Sequence, residues 1–141
     1  MNILSISGSL RSESLNTRLL KSLKASAVHP ISVSIETLHG IPLYDGDLEE
    51  SSGVPDAVVA LREQIKQTDG LILAMPEYNG GMPGVLKNAL DWLTRPPEEM
   101  GPTFFNRPLA LCGATPGGLG TALAQAGSLV VFRQLKVDLF P

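Results

Sequence analysis

The sequence predicts a three-layer α/β domain built on a parallel β-sheet. Short β-type runs alternate along the 141 residues with segments of helical periodicity. The run at residues 71–75 is apolar throughout, as in a strand that is buried on both faces. Strands and helices that alternate in this way form parallel sheets with right-handed crossovers, so helices are expected on both faces of the sheet.

A strand, a helix and a second strand are predicted over residues 3–35. Residues 3–7 form a β-type run, and the leucines that follow it, Leu15, Leu19, Leu20 and Leu23, fall at helical spacing. In the second strand, Ile31, Val33 and Ile35 alternate with polar residues, which gives the strand one solvated face. This strand is therefore expected at the edge of the sheet.

Residues 38–55 are rich in glycine and proline and are predicted to form a loop, in which the acidic run at 45–50 is solvated. A helix is predicted from near Asp56. Its periodicity places one set of residues inward, Val58, Leu61 and Ile65, and another set outward, Arg62, Glu63 and Lys66.

A second long helix is predicted over residues 82–94, with apolar residues across an arc of roughly 160°. It ends at residues 95–97, because proline disfavours helical geometry in the residue before it. A strand at 109–112, a largely uncharged helix after Gly118 and a strand at 137–140 complete the pattern. The wide arc and the uncharged helix indicate an interface between two copies of the chain.

Composition excludes several classes of partner. The net charge of -3 offers no basic stripe for nucleic acid, and the uncharged residues 108–132 are too interrupted by glycine to span a membrane. Cys112 is the only cysteine, which suits a reducing cytoplasm, and its apolar strand favours a buried, inert thiol. His29 and His39 have no neighbours at metal-ligand spacing, so they are expected on the surface and no metal site is predicted.

The loop after the first strand, residues 8–16, has the features of a phosphate site. It joins the carboxyl end of a strand to the amino end of a helix, where free backbone N–H groups and the helix dipole favour an anion. Ser9, Ser14 and Asn16 add neutral donors, and Arg11 adds a charged, forked donor. The other interpretation is a serine-rich cap and turn with a solvated arginine. The position after the first strand favours a mononucleotide phosphate.

Two further loops suit a planar ligand. Residues 75–84 contain two prolines and three glycines, which fix an unusual path for main-chain donors and acceptors. After the fourth strand, Gly117 and Gly118 let the backbone approach a ligand edge. There is no G-x-x-x-x-G-K-[ST] loop, and residues 118–123 do not complete a dinucleotide fingerprint.

Together, GSLR at 8–11, PEYNG at 76–80 and PGVLKNALDWL at 83–93 resemble the NADPH-dependent FMN reductases, which include bacterial quinone, azo and chromate reductases. Residues 42–45 and 117–121 add to the resemblance, which covers residues 3–141. It implies one flavodoxin-like domain over residues 1–141, with five parallel strands in the order 2-1-3-4-5 and assembly into a homodimer or homotetramer. Family members continue into a final helix that this sequence lacks, so a truncated C-terminus is expected.

The resemblance also implies which residues bind the cofactor. The FMN phosphate is expected to contact Ser9, Arg11, Ser14, Leu15 and Asn16. The isoalloxazine ring is expected to lie against Pro76, Glu77, Tyr78, Asn79 and Gly80, mostly through their backbone. The loop at residues 113–118, with Thr115 and Gly117, is expected to close its other edge. Tyr78 has two open interpretations, as a packing residue of its loop or as a border of the substrate cavity.

By this resemblance the protein is an NAD(P)H-dependent FMN oxidoreductase. Hydride passes from NADPH or NADH to bound FMN, and the electrons then pass to a small acceptor, a quinone, flavin, azo compound or metal oxyanion, by a ping-pong mechanism. No side chain is expected to act as acid or base, because the cofactor carries the chemistry. The alternative is a flavodoxin-type electron carrier or an inactive FMN-binding module.

Overall fold

In the computed structural model, which describes residues 1–140, five parallel strands form one sheet in the order β2-β1-β3-β4-β5. The strands are β1 (Asn2–Ser7), β2 (Ser32–Thr37), β3 (Gly70–Ala74), β4 (Pro108–Cys112) and β5 (Asp138–Leu139). The helices are α1 (Leu15–Ser26), α2 (Gly46–Ser52), α3 (Asp56–Lys66), α4 (Gly84–Leu93), α5 (Met100–Phe104) and α6 (Ala122–Gln134), with a 3-10 turn at Pro97–Glu99. The predicted fold class and strand order are confirmed.

The core lies mainly on one face of this sheet. Residues two apart in a strand point to the same face, and Leu4 and Ile6 of β1 are buried with Leu71 and Leu73 of β3. Apolar residues of α3, α4, α5 and α6 complete the same cluster, among them Ile65, Leu90, Phe104 and Phe132. One hydrophobic core therefore extends along this face of the sheet from β1 to β4.

A helix, α2, lies inside the segment predicted to be a loop. Asp45 caps it, with its Oδ1 accepting a hydrogen bond of 2.9 Å from the N–H of Asp47, and Asp47 and Glu49 place negative charge in its first turn. The acidic run therefore begins a helix and is not a solvated loop. Apolar periodicity could not reveal this helix, because Leu48 is its only apolar residue.

Arg62 is buried, although helical periodicity predicted that it faces solvent. Only 6% of the residue is exposed, one Nη donates to the carbonyl oxygen of Arg95, and its Nε lies 3.6 Å from a carboxylate oxygen of Glu99. The chain after α4 turns back over α3 and covers this position. The prediction was wrong because the periodicity of one helix does not show what packs on its outer side.

The wide apolar arc of α4 is covered from within the chain. Its buried residues are Leu86, Ala89, Leu90, Trp92 and Leu93. The Trp92 Nε1 and the Asn88 Nδ2 both donate to the carbonyl oxygen of Pro42, at 2.9 and 2.8 Å, so the segment after β2 is tied to this helix. The arc therefore gives no support to a surface that meets a second copy.

Apolar side chains are exposed instead on and just before α6: Leu119, Leu123, Leu129 and Val130. No helix among residues 1–140 is long and apolar enough to cross a membrane.

The two histidines are exposed, as predicted. The ring of His39 bridges the hydroxyl of Thr37 and the carbonyl oxygen of Leu10, at 3.0 and 3.1 Å, and so contacts the loop after β1. Cys112 is half-buried at the end of β4, and burial raises the pKa of its thiol, which lowers its thiolate content and its reactivity.

An ion pair joins α2 to the end of α4. The Nε of Arg95 donates to both carboxylate oxygens of Glu49, at 3.0 and 2.8 Å, and the hydroxyl of Tyr44 donates to the same carboxylate. The hydrogen bond from Arg95 holds the pKa of Glu49 below its ordinary value of 4.5. Folding is therefore favoured by the charged form of Glu49.

We expect the contribution of Glu49 to stability to be complete above pH of about 4.5 and to fall as the pH drops through its lowered folded-state pKa. Glu49→Gln should lower the urea midpoint at pH 7, and the difference from wild type should shrink towards pH 3. Glu50→Gln, in an exposed neighbour on α2, is the matched control. A difference for Glu49→Gln that stays constant from pH 7 to pH 3 contradicts the prediction.

Candidate functional site

Three loops meet where β1, β3 and β4 end. The ladder continues into them, because the N–H of Gly8 donates to the carbonyl of Ala74 and the N–H of Met75 donates to the carbonyl of Cys112, each at 2.8 Å. Between the loops lies an open cleft, at the point where the strand order reverses and α/β sheets bind ligands. The cleft is lined by Ser9, Arg11, Glu13, Ser14, Leu15, Asn16, Pro76, Glu77, Tyr78, Ala114, Thr115 and Pro116.

In each of the two serines of the first loop, the hydroxyl oxygen accepts a hydrogen bond from the backbone and the hydroxyl hydrogen stays available. Ser14 is the N-cap of α1, and its Oγ accepts from the N–H of Thr17 at 3.2 Å. The Oγ of Ser9 accepts from the N–H of Arg11 at 3.3 Å. Both serines are buried, and neither hydroxyl has an acceptor within residues 1–140, so each keeps its hydrogen for a ligand.

The other donors of this loop also lack a hydrogen-bond partner among residues 1–140. The N–H groups of Leu15 and Asn16, in the first turn of α1, make no hydrogen bond to the part of the chain that the structure describes. The guanidinium of Arg11 is exposed and likewise forms no ion pair there, although Glu13 lines the same cleft. The cleft thus has an excess of donors at the positive end of a helix.

Asn16 joins the first loop to the third. Its Nδ2 donates to the carbonyl of Ala114 and its Oδ1 accepts from the N–H of Ala114, both at 3.0 Å. The side chain therefore pairs with both backbone groups of a residue 98 positions away, as a residue of a neighbouring strand would. One Nδ2 hydrogen remains for a ligand.

The second loop turns back on itself at its tip. Tyr78 and Gly81 exchange main-chain hydrogen bonds around Asn79 and Gly80, whose φ angles of 52° and 71° are those of a two-residue hairpin turn. Tyr78 is 57% exposed. The carboxylate of Glu77 accepts from the N–H of Ala124 in α6, at 3.0 Å.

At Gly113 the third loop lies against the second loop and against Thr121, which precedes α6. A Cβ at this position would lie 2.2 Å from the Oγ1 of Thr121 and 2.6 Å from the carbonyl oxygen of Met75. Such distances leave no room for a side chain, so only glycine fits. Further along the loop, the N–H of Gly117 donates to the hydroxyl of Thr115, which shapes the turn above the cleft.

The structure brings most of the residues predicted from the sequence into one cleft. Asn79, Gly80 and Gly117 belong to the same loops but do not line it. Ala114 and Pro116 line it and belong to the segment 113–118 that was predicted to close the other edge of the ring. Glu13 also lines it and was not predicted, and its place in the first loop was the available signal. No group of three or more histidine, cysteine, aspartate or glutamate residues within 1–140 could hold a metal ion.

Comparison with known families agrees with this geometry. The family model described as NADPH-dependent FMN reductase matches residues 1–139. This chain belongs to that family. The predicted family is thereby confirmed, as a group of oxidoreductases named for FMN and NADPH.

The relatives of this chain include a curated NAD(P)H-dependent FMN reductase of Pseudomonas aeruginosa, which is 46% identical to it over 125 residues. A 2-hydroxy-1,4-benzoquinone reductase of a Burkholderia species is 40% identical over 126 residues. These matches cover 89% of the chain but only 65% and 67% of the respective relatives. Among solved structures, the flavoenzyme FerB of Paracoccus denitrificans, an NAD(P)H:(acceptor) oxidoreductase, superimposes with a TM-score of 0.88 at 32% identity, covering 99% of this chain and 75% of FerB.

The donors of the cleft fit the group for which the family is named. FMN carries a phosphate, and the first loop offers it hydroxyl hydrogens, backbone N–H groups and a guanidinium that have no partner among residues 1–140. The cleft walls formed by the second and third loops combine main-chain groups with the apolar surface of Pro76 and Ala114, which suits a flat ring system.

We expect Gly113→Ala to destabilise the protein by about 1 to 3 kcal/mol, because the added methyl group collides with backbone that must shift. The free energy of unfolding in urea measures this effect. Gly118→Ala, five residues further along the same chain segment, is the matched control, because a Cβ there meets nothing within 4 Å. Equal stability of the two variants contradicts the close contact at Gly113.

Proposed function

We propose that this chain binds FMN in the cleft and acts as an NAD(P)H-dependent oxidoreductase on a small acceptor. The proposal rests on one observation: hydrogen-bond donors at the amino end of α1, directly after strand β1, have no partner among residues 1–140. Bound FMN would supply the redox chemistry, since it can take a hydride from a reduced nicotinamide and give the electrons to an acceptor.

The chain's own residues would bind and orient the cofactor. Ser9, Arg11, Ser14 and Asn16 would donate side-chain hydrogen bonds to the phosphate, and Leu15 would donate its backbone N–H. The segment Pro76–Tyr78 and Thr115 would border the ring from opposite sides. We assign Asn79, Gly80 and Gly117 the role of shaping the backbone of these loops, because they lie outside the cleft.

The exposed side of the cleft is the place where both substrates would bind. Tyr78 is exposed at its border, which supports its interpretation as a residue of the substrate cavity rather than of packing. A single cleft of this kind favours a ping-pong mechanism, in which the nicotinamide leaves before the acceptor enters. The Burkholderia relative, named a 2-hydroxy-1,4-benzoquinone reductase, supports a quinone as the acceptor.

A second copy of the chain would cover the exposed apolar residues of α6. Leu123, Leu129 and Val130 are each about half-exposed or more, on a helix without charge from Ala122 to Phe132. We propose a homodimer, or a homotetramer built from it, through this helix. Sedimentation equilibrium measures the assembly directly, and a monomer at all concentrations contradicts it.

The proposed function is tested by anaerobic spectroscopy and steady-state kinetics. The FMN-loaded protein should lose its visible absorption when NADPH or NADH is added and regain it with a quinone. Double-reciprocal plots with both substrates varied should give parallel lines, because the substrates use one site in turn. Absorption that persists under both nicotinamides indicates an electron carrier, and intersecting lines exclude a shared site.

We expect Arg11→Ala to weaken FMN binding about ten- to a hundred-fold, since a hydrogen bond to a charged group contributes roughly 1.5 to 3 kcal/mol. The FMN affinity of Arg11→Lys should lie between those of wild type and Arg11→Ala, because lysine keeps the charge but loses the planar fork. Flavin fluorescence in titrations of the apo-proteins measures each affinity.

Riboflavin lacks the phosphate, so it should bind wild type and Arg11→Ala almost equally. Arg18→Ala, which removes an exposed arginine of α1 outside the cleft, controls for net charge. An FMN affinity that Arg11→Ala leaves unchanged means that this arginine is only a solvated turn residue.

A further inference from the structure

Helix α6 begins without a cap from its own sequence. Thr121 occupies the N-cap position but makes no side-chain capping bond. Its hydroxyl accepts instead from the Nε2 of Gln125, at 2.7 Å. The N–H groups of a first helical turn need acceptors from outside the helix, and a side chain at the N-cap usually provides one.

Glu77 supplies the missing acceptor from the second loop. Its Oε2 accepts from the N–H of Ala124, the third residue of α6, across 47 residues of sequence. Ala124 is fully buried, so its N–H would lack a partner without Glu77. A carboxylate at the amino end of a helix also interacts favourably with the helix dipole.

This bond joins opposite walls of the cleft. Glu77 stands between Pro76 and Tyr78 in one wall, and α6 begins directly after the loop that forms the other wall. The two walls also touch at Gly113, and Asn16 ties the first loop to Ala114. The Glu77 bond closes the outer side of this arrangement, where the hairpin tip at Gly80 faces Leu123 of α6.

We propose that Glu77 is a positioning residue: by capping α6 it fixes the separation of the two walls between which the ring of the cofactor would lie. This assignment rests on the proposed function for the identity of the ligand, FMN. The hydrogen bond from Ala124 to Glu77 is present in the chain without any ligand. The capping oxygen makes the larger contribution and the negative charge the smaller one, so glutamine should largely replace glutamate.

The experiment compares wild type with Glu77→Ala and Glu77→Gln, using Glu13→Gln as the control for charge in the same cleft. In the apo-proteins, hydrogen exchange at the amide of Ala124, followed by NMR, should become about five- to tenfold faster in Glu77→Ala, since loss of a cap removes that much protection. Glu77→Gln and Glu13→Gln should exchange as wild type does.

Titration with FMN provides the second measurement. Glu77→Ala should bind FMN about tenfold more weakly, and the visible spectrum of FMN at saturation should differ from that of wild type. Glu77→Gln should restore both the affinity and the spectrum, which a general loss of stability would not explain. If Glu77→Ala does not fold, Glu77→Asp keeps the charge, moves the carboxylate by one methylene and carries the same expectations.

The outcomes separate the two proposals. Equal FMN affinity in wild type and Glu77→Ala overturns the positioning role and leaves the proposed function intact. Failure of Glu77→Gln to restore exchange protection also overturns it, because the charge would then be the operative feature. A wild-type protein that binds no FMN, while its Ala124 amide is protected, overturns the proposed function and the positioning role but not the cap.

Discussion

The parallel register of β1, β3 and β4 is the constraint on which the cleft depends. All three strands end at one edge of the sheet, and the bonds from Gly8 to Ala74 and from Met75 to Cys112 carry the ladder into the loops. Because the sheet fixes the residue at which each loop starts, the entropy cost of bringing the three loops together is reduced. The sheet thus determines where the three loops meet, before any of their side chains forms a contact.

Side chains then fix the loops to one another, and two of them bond to main chain rather than to each other. Asn16 pairs with both polar atoms of Ala114, and Glu77 accepts from Ala124. Backbone groups of buried loops need partners, and these bonds satisfy them while joining distant segments. At Gly113 the opposite device is used, because the absence of a side chain lets two loops touch. Hydrogen bonds of Asn16 and Glu77 and close packing at Gly113 therefore hold the walls of the cleft together.

The sequence predicted what local periodicity and position determine. The core faces of α3 and α4 follow from apolar spacing, and the meeting of the loops follows from their place after parallel strands. The strand order was predicted from the resemblance to the NADPH-dependent FMN reductases. Helix α2 was missed because its signals are a cap at Asp45 and acidic residues, not apolar spacing. The burial of Arg62 and the pairing of Asn16 with Ala114 could not be predicted, because both depend on segments far away in sequence.

The serines of the first loop show how a binding site can be ready without weakening the fold. An unpaired buried oxygen would be costly, but the hydroxyl oxygens of Ser9 and Ser14 already accept backbone bonds. What remains for a ligand is a hydrogen that turns about the C–O bond, beside N–H groups that open into the cleft. In these two serines the acceptor is therefore used by the fold and the donor is left for a ligand. A site with this imbalance is selective for an anion because of its backbone geometry, and Arg11 adds charge to a preference that the helix has already established.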